Sequence, residues 1–392
     1  MSLNLQTSSE RLHIAFFGCR NAGKSSLVNA FTNQQLSVVS DVKGTTTDPV
    51  KKSMELLPIG PVVIIDTAGL DDKGNLGELR IEKTMQILGK TDIAVLVVDS
   101  TIGVNEFDKE IIRQFEERKL PHVIVYNKCD LNPSIPQRTG ELAVSALTGE
   151  GVNELRELLG KIARENKVEK YIIKDKLKAG DIVVLVIPID ESAPKGRIIL
   201  PQQNVLREIL DAHTSAVCIQ PEELEETLKK ITPNLVITDS QVFNRIKDIV
   251  PKNILLTSFS ILMANYRGKL ETLIAGTKIL SELKDGDKVL ISEGCTHHRQ
   301  CNDIGTVKFP KWISDFTGKS INFEFTQGGE FPQDLSKYKL IIHCGGCMIN
   351  EAEMTTRQNR AREQNIPMVN YGMAIAYMNG ILERALEIFK DE

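Results

Sequence analysis

Short apolar runs rich in β-branched residues recur along almost the whole chain. "HIAFFG", "VVIIDTAG", "IAVLVVD" and "HVIVYNKCD" come first, then "VVLVIPI", "NLVITD", "KVLISEGC" and "KLIIHCGGC". Between them lie amphipathic stretches of roughly 10 to 20 residues, which is the rhythm of βαβ units. Because the runs are continuous rather than alternating, the strands they predict are covered on both faces, as in parallel sheets. An α/β fold with mainly parallel sheets is therefore expected throughout. No short-period repeat or low-complexity tract interrupts it. The charged helix pattern "VNELRELLGKIAREN" closes one segment and "KVEKYIIKDKLKAGD" opens the next. This predicts three domains, at 1–166, 167–265 and 266–392. The middle one has a turn-rich entry, "DESAPKGRIILPQQN", then an amphipathic helix, "VLREILDAH". It holds no catalytic constellation, and His213 and Cys218, set beside apolar residues, read as a core histidine and an inert buried thiol. The tail "NYGMAIAYMNGILERALEIF" reads as core packing.

Composition narrows the partners. The 392 residues are 41% hydrophobic and 26% charged, with a formal charge of -4, so no positive excess suits a phosphate backbone and no nucleic acid is expected. Runs such as "IVVLVIPI" fall far short of the ~20 residues of a spanning helix. The N-terminus shows no basic segment followed by an apolar core and a cleavage site, so a cytoplasmic protein without a membrane association is expected. In that compartment thiols stay reduced, and clustered cysteines point to metal or redox chemistry.

"GCRNAGKSS" (18–26) follows the run "HIAFF" and opens the helical pattern "KSSLVNAF". Strand, glycine loop and helix together make a phosphate cradle, with backbone N–H groups of Asn21, Ala22, Gly23, Ser25 and Ser26 facing the anion. Gly18 and Gly23 allow close approach, Lys24 brings its charge to the β and γ phosphates, and Ser25 offers a hydroxyl to Mg²⁺. "DTAG" (66–69) ends another strand, placing Asp66 to hold Mg²⁺ through water and the Gly69 amide at the γ-phosphate. "NKCD" contributes Asn127, Lys128 and Asp130; the Asp130 carboxylate can accept from the ring N–H and amino group of guanine, a pair adenine does not present. "SAL" adds Ser145 and the backbone N–H of Ala146 for the guanine oxygen. The order and spacing predict a GTPase domain binding GTP and GDP. Cys19 and Cys129 lie inside these motifs as bystanders.

"GTTTD" (44–48) places Thr46 as the switch threonine that reaches Mg²⁺ when the γ-phosphate is present. Together with "RNAGKSS" it resembles the Era and MnmE group of the TrmE-Era-EngA class of GTPases. The resemblance implies that Asn21 helps bind a K⁺ that stands in for an arginine finger. Leu70 occupies the place of the water-orienting glutamine of Ras-like proteins, so slow, K⁺-stimulated hydrolysis is expected.

"GCTHHRQC" (294–301) and "HCGGC" (343–347) hold four of the seven cysteines and three of the six histidines. If "KVLIS" and "KLIIH" are strands of one parallel sheet, Cys295, Cys344 and Cys347 share one edge, with His297 and His343 beside them. Zinc, a dithiol redox pair and an iron–sulfur cluster all suit such a set, and spacing leaves zinc and iron open. A GTPase domain followed by C-x-H and H-C-x-x-C over the full chain resembles the HydF family, the maturation GTPases of FeFe-hydrogenase. That resemblance implies a 4Fe-4S cluster on Cys295, Cys344 and Cys347, a variable fourth position for which His297 and His343 are candidates, and Cys301 and Asp303 as nearby donors. It also implies a homodimer made through the middle domain. The implied role is that of a scaffold taking a diiron subcluster from the radical-SAM maturases HydE and HydG and delivering it to apo-FeFe-hydrogenase. The competing expectation is a GTPase of tRNA modification or ribosome assembly with a structural zinc module. A redox enzyme is a third, for which no acid or base beside the thiols can be named.

Overall fold

The computed structural model describes residues 8–34, 50–67, 83–132, 140–166, 169–189, 198–268, 270–295 and 303–390. The chain divides into two compact units, Met1–Val168 and Glu169–Glu392.

In the first unit six strands form one sheet: β1 (Leu12–Phe17), β2 (Val50–Leu56), β3 (Gly60–Asp66), β4 (Ile93–Asp99), β5 (His122–Asn127) and β6 (Glu141–Ala143). Their order is β2-β3-β1-β4-β5-β6. The β2–β3 pair is antiparallel and the others are parallel. Side chains of β1 alternate between two cores. Ile14 and Phe16 join the helices Lys24–Thr32 and Val152–Glu165 on one face. Ala15 and Phe17 join the helix Glu106–Glu117 on the other. Edge-to-face ring pairs at 5.5 Å, Phe16 with Phe31 and Phe17 with Phe115, lock each helix to the same strand.

The second unit holds two all-parallel sheets. The first comprises β7 (Ile182–Val186), β8 (Ser215–Ile219), β9 (Leu235–Thr238) and β10 (Leu255–Ser258), in the order β10-β9-β7-β8. The other comprises β11 (Lys288–Glu293), β12 (Asn322–Gln327), β13 (Leu340–His343) and β14 (Met368–Asn370), in the order β12-β11-β13-β14. A single apolar core runs through both. The helix Phe259–Arg267 crosses the division expected at 265–266. Polar ties reinforce the join: Ser260 Oγ donates to Asn370 Oδ1 at 3.0 Å, and Thr257 Oγ1 donates to the Ala385 carbonyl at 2.9 Å. Gly276 lets the helix Leu270–Lys278 lie directly on β14, since a Cβ there would stand 2.1 Å from the Met368 oxygen.

In the tail, Tyr371, Met373, Ala374, Ile375 and Ala376 are buried, as its pattern predicts. The middle segment corrects two readings: His213 and Cys218 are both exposed, one in a turn with φ of 57° and one on the edge strand β8. Among the described residues no helix is long and apolar enough to cross a membrane.

Arg384 donates to the carbonyls of Lys247, Val250 and Pro251 at 2.7–2.9 Å, with the Ile254 oxygen at 3.4 Å. Removing a cation that serves several buried or half-buried acceptors costs more than removing a neutral bond. We expect Arg384→Met to lower the stability of this unit by about 1–3 kcal/mol in urea titration. A change below ~0.5 kcal/mol would mean that water serves these carbonyls equally well.

Candidate functional site

Two rims carry chemistry, one in each unit. In the first, β1 runs into the glycine loop and the helix Lys24–Thr32. Gly18 has φ of 139°, and a Cβ there would stand 2.2 Å from the Val97 oxygen of β4. Asn21 and Gly23 have φ of 61° and 85°. A Cβ on Gly23 would stand 2.2 Å from Asn127 Nδ2, so only glycine fits at both ends of the loop. The helix has no side-chain cap, and its first N–H groups face the loop mouth. Buried Lys24 reaches back across that mouth, donating to the Gly18 and Cys19 carbonyls at 2.7 Å each. Asn21 is exposed, Ala22 is buried and Ser26 is half-buried at the first turn.

At the end of β3, Asp66 is buried and its Oδ2 accepts from Ser25 Oγ at 2.7 Å. Asp66 Oδ1 is buried without a hydrogen-bond partner. A carboxylate oxygen so placed, beside a serine hydroxyl and a phosphate loop, fits a hydrated divalent cation such as Mg²⁺. Thr67 fastens this strand end to β1 through Oγ1 to the Phe16 oxygen at 2.7 Å.

Buried Asn127 joins two loops: Nδ2 donates to the Ala22 carbonyl at 2.9 Å, and Oδ1 accepts from the Ala146 N–H at 3.0 Å. The Ala146 amide assigned to the guanine oxygen is thus engaged by Asn127. Ser145 is fully buried, and its Oγ accepts from the Thr148 N–H at 3.1 Å. Asp130 is exposed. Lys128, with φ of 65°, is ion-paired to Asp99 Oδ2. Ser100 Oγ donates to the Lys128 carbonyl at 2.8 Å. Asp99 and Ser100, at the end of β4, were not among the residues expected to serve the site. Nor was the fastening of Cys19, whose sulfur accepts from Asn105 Nδ2 at 3.2 Å and whose thiol donates to Asp108 Oδ1 at 3.7 Å. Those two residues form the capping box of the helix Glu106–Glu117, so Cys19 ties the phosphate loop to that helix. Cys129 is a buried thiol. Thr46, Gly69 and Leu70 lie outside the described residues.

In the second unit, parallel pairing of β11 with β13 sets Ser292 opposite His343. The turns that follow, at Gly294–Cys295 and Cys344–Cys347, therefore leave the same sheet edge as neighbours. The Cys344 N–H donates to the Ser292 carbonyl at 3.0 Å. Backbone N–H groups of Gly294 and Gly346 point at Cys344 Sγ at 3.0 and 3.4 Å. A Cβ on Gly294 would stand 3.4 Å from Gly346 Cα. Gly346 has φ of 64°, and a Cβ there would meet the Met354 methyl at 2.4 Å. All three cysteine residues are half-buried. Burial first, then the sulfurs of Cys344 and Cys347 and the Glu293 carboxylate, pushes the Cys295 thiol up to about 12. Burial likewise pushes Cys344 up to about 11, against the pull of the Gly294 N–H. Cys347 is raised by burial and pulled back by the Arg267 guanidinium.

Three mutually interacting thiols, amides aimed at one sulfur and a closely packed glycine backbone are a donor set suited to a soft metal or an iron–sulfur cluster. Among the described residues no three His, Cys, Asp or Glu side chains stand close enough to grip a single metal ion. His297 and Cys301 lie outside the described residues. Asp303 uses Oδ2 to cap the turn at Thr306, accepting from its N–H and hydroxyl at 2.8 Å each.

His343 is in the rim but turned from the sulfurs' role. It is 1% exposed, its Nδ1 lies 2.8 Å from the Cys344 carbonyl, and its Nε2 lies 3.0 Å from Arg357 Nη1. Burial, reinforced by that guanidinium, pulls its imidazole down to about 3. Arg267 and Arg357 were both missed by motif reading, which has no signal for a buried arginine on a helix.

Family models match three stretches of the chain. Residues 13–128 match a 50S ribosome-binding GTPase model, 172–268 the hydrogen maturase F dimerization domain and 271–388 the hydrogen maturase F tetramerization domain. The two maturase models together span more than half the chain. The tRNA modification GTPase MnmE of Laribacter hongkongensis is 38% identical over 156 residues, which are 38% of this chain and 34% of that protein. GTPase Der of Mycoplasmopsis pulmonis is 33% identical over 193 residues, 45% of this chain and 42% of that one. The chain thus matches between about a third and two-fifths of these relatives' length. Among solved structures, Era of Aquifex aeolicus bound to GDP·AlF4⁻ is 20% identical, with a TM-score of 0.34 over 55% of this chain and 97% of that one.

Asn127→Ala would orphan the Ala22 carbonyl and the Ala146 N–H together, at about 1–3 kcal/mol each. We expect GDP affinity to fall on the order of 100-fold, read by fluorescence titration with a labelled analogue. Unchanged affinity would show that the two loops hold their places without the amide.

Proposed function

The chain belongs to the hydrogen maturase F family, and from that premise we propose that it is a GTP-hydrolysing scaffold that holds a 4Fe-4S cluster on Cys295, Cys344 and Cys347 and delivers a diiron subcluster to apo-FeFe-hydrogenase. The carrying observation is the meeting of two cysteine turns at one sheet edge, in a chain that also has a GTPase domain. Bound there, a cluster with three protein thiolates supplies an iron that can take a bridging ligand from the cargo.

The chain's own part is to place the sulfurs. Thiols held at about 11 and 12 are neutral at pH 7, so loading releases protons. His297 and His343 are the candidates for the fourth position, and we rank His343 second because both of its ring nitrogens have partners. The diiron unit comes from HydE and HydG. The matched dimerization and tetramerization domains support an oligomer; in our reading the segment 167–265 makes a homodimer and the segment 266–392 carries the cluster. Location in the cytoplasm fits the reduced thiols.

In the GTPase domain Lys24 and the loop amides hold the phosphates, and Ser25 with Thr46 holds Mg²⁺ near Asp66. Asn21 helps bind K⁺, and hydrolysis is slow. Thr46 and the Gly69 amide respond to the γ-phosphate, and their ordering controls exchange of partners. Similarity to tRNA modification GTPases is confined to a minority of the chain, which is why the tRNA or ribosome reading with a zinc module is set second.

Two measurements test this. Anaerobic reconstitution followed by reduction should give a 4Fe-4S EPR signal, lost in Cys295→Ala, Cys344→Ala and Cys347→Ala, and the loaded wild type should activate apo-hydrogenase; stoichiometric zinc with no signal would favour the second reading. GTP turnover should rise several-fold in KCl over NaCl, and Asn21→Ala should abolish the difference. Equal turnover in the two salts would remove K⁺ from the mechanism.

A further inference from the structure

Arg357 lies on the helix Glu351–Glu363 and is 2% exposed. Its guanidinium donates to the Gly328 carbonyl and to Glu353 Oε1, has Ser292 Oγ at 3.4 Å, and sits 5.3 Å from the Phe331 ring centroid. Ser292 belongs to β11, Gly328 directly follows β12, and His343 ends β13. One side chain thus touches the carboxyl ends of three neighbouring strands.

A guanidinium has donors and no acceptor. Its 3.0 Å contact with His343 Nε2 is therefore a donation into the Nε2 lone pair. That nitrogen carries no proton, so the ring proton is on Nδ1 and is donated to the Cys344 carbonyl at 2.8 Å. We propose that Arg357 is a positioning residue of the thiol rim: it clamps His343 in one tautomer, so fixing the backbone of Cys344, and it withholds the imidazole from any metal bound by the neighbouring thiols. The clamp stands on geometry alone. The withholding rests on the cluster reading above.

The ring contact has a chemical consequence. Neutral imidazole binds a metal through a lone pair, and His343 has one. While Arg357 uses it, an iron held at this rim would find the thiols of Cys295, Cys344 and Cys347 but not this imidazole. With the donor removed, the same histidine becomes a competing ligand.

The test uses the full-length protein labelled with ¹⁵N-histidine, as wild type, Arg357→Lys and Arg357→Met, with His343→Asn to assign the signals. In the metal-free wild type, two-bond ¹⁵N–¹H spectra should show His343 protonated on Nδ1. Arg357→Lys, which keeps one donor, should preserve that pattern, and Arg357→Met should lose it. Protonation of Nε2 in the wild type, or an unchanged pattern in Arg357→Met, overturns the clamp. If Arg357→Met does not fold, the wild-type tautomer still decides the point. After anaerobic iron and sulfide reconstitution, pulsed EPR should show no nitrogen coupling from His343 in wild type. The coupling should appear in Arg357→Met and vanish in the Arg357→Met, His343→Asn double variant. A His343 coupling already in wild type, or none in Arg357→Met, overturns the withholding. Should the wild type bind no cluster at all, the cluster reading falls, while the metal-free spectra still judge the clamp.

Discussion

Parallel pairing of Ser292 with His343 is the constraint on which the second unit's chemistry depends. In a parallel sheet neighbouring strands end at the same edge, so whatever follows each strand emerges side by side however far apart it lies in sequence. Here a glycine and a cysteine follow one strand, and a cysteine, two glycines and a second cysteine follow the other. A slip of one residue would exchange every side chain between the two packed faces, and with Val289, Leu290, Ile291, Leu340, Ile341 and Ile342 all at 0–1% exposure the register has no freedom to slip. The core therefore fixes where the two cysteine turns meet.

The GTPase unit uses the same device with different letters. Asp66, Asp99 and Asn127 are the last residues of β3, β4 and β5, adjacent or near-adjacent strands of one sheet. Each is spent on a neighbour: Asp66 on Ser25, Asp99 on Lys128, Asn127 on Ala22 and Ala146. A loop rich in positive φ holds little conformation by itself, and these strand-end side chains give it the rigidity that phosphate recognition needs.

Eight strands are legible as apolar runs, and among the described residues they are the interior strands of the three sheets. The six that were not, β2, β6, β8, β10, β12 and β14, are the six edges. The reason is physical: an interior strand is covered on both faces and both sides, whereas an edge strand such as "VKKSMEL" can face water and carry charge. Motif residues were legible because phosphate chemistry dictates their type and spacing. Arg357 was not, because "EAEMTTRQNRARE" has no apolar stripe, yet Glu353, Met354, Arg357, Gln358 and Ala361 are all buried. Its inner face is held by polar contacts, which hydrophobic periodicity does not register.

Charge sorts the three thiols. Cys295 faces two sulfurs and the Glu293 carboxylate, all of which oppose a thiolate, in a setting that burial already makes costly. Cys347 has the Arg267 guanidinium among its neighbours, and Arg267 in turn holds the Ile349 carbonyl two residues beyond that cysteine. Cys344 has no such cation among its influences but receives backbone N–H groups instead. Burial thus raises all three thiols, and the counterweights are uneven: an arginine and two amides face the second turn, whereas among the described residues the first has a backbone hydrogen bond and no cation.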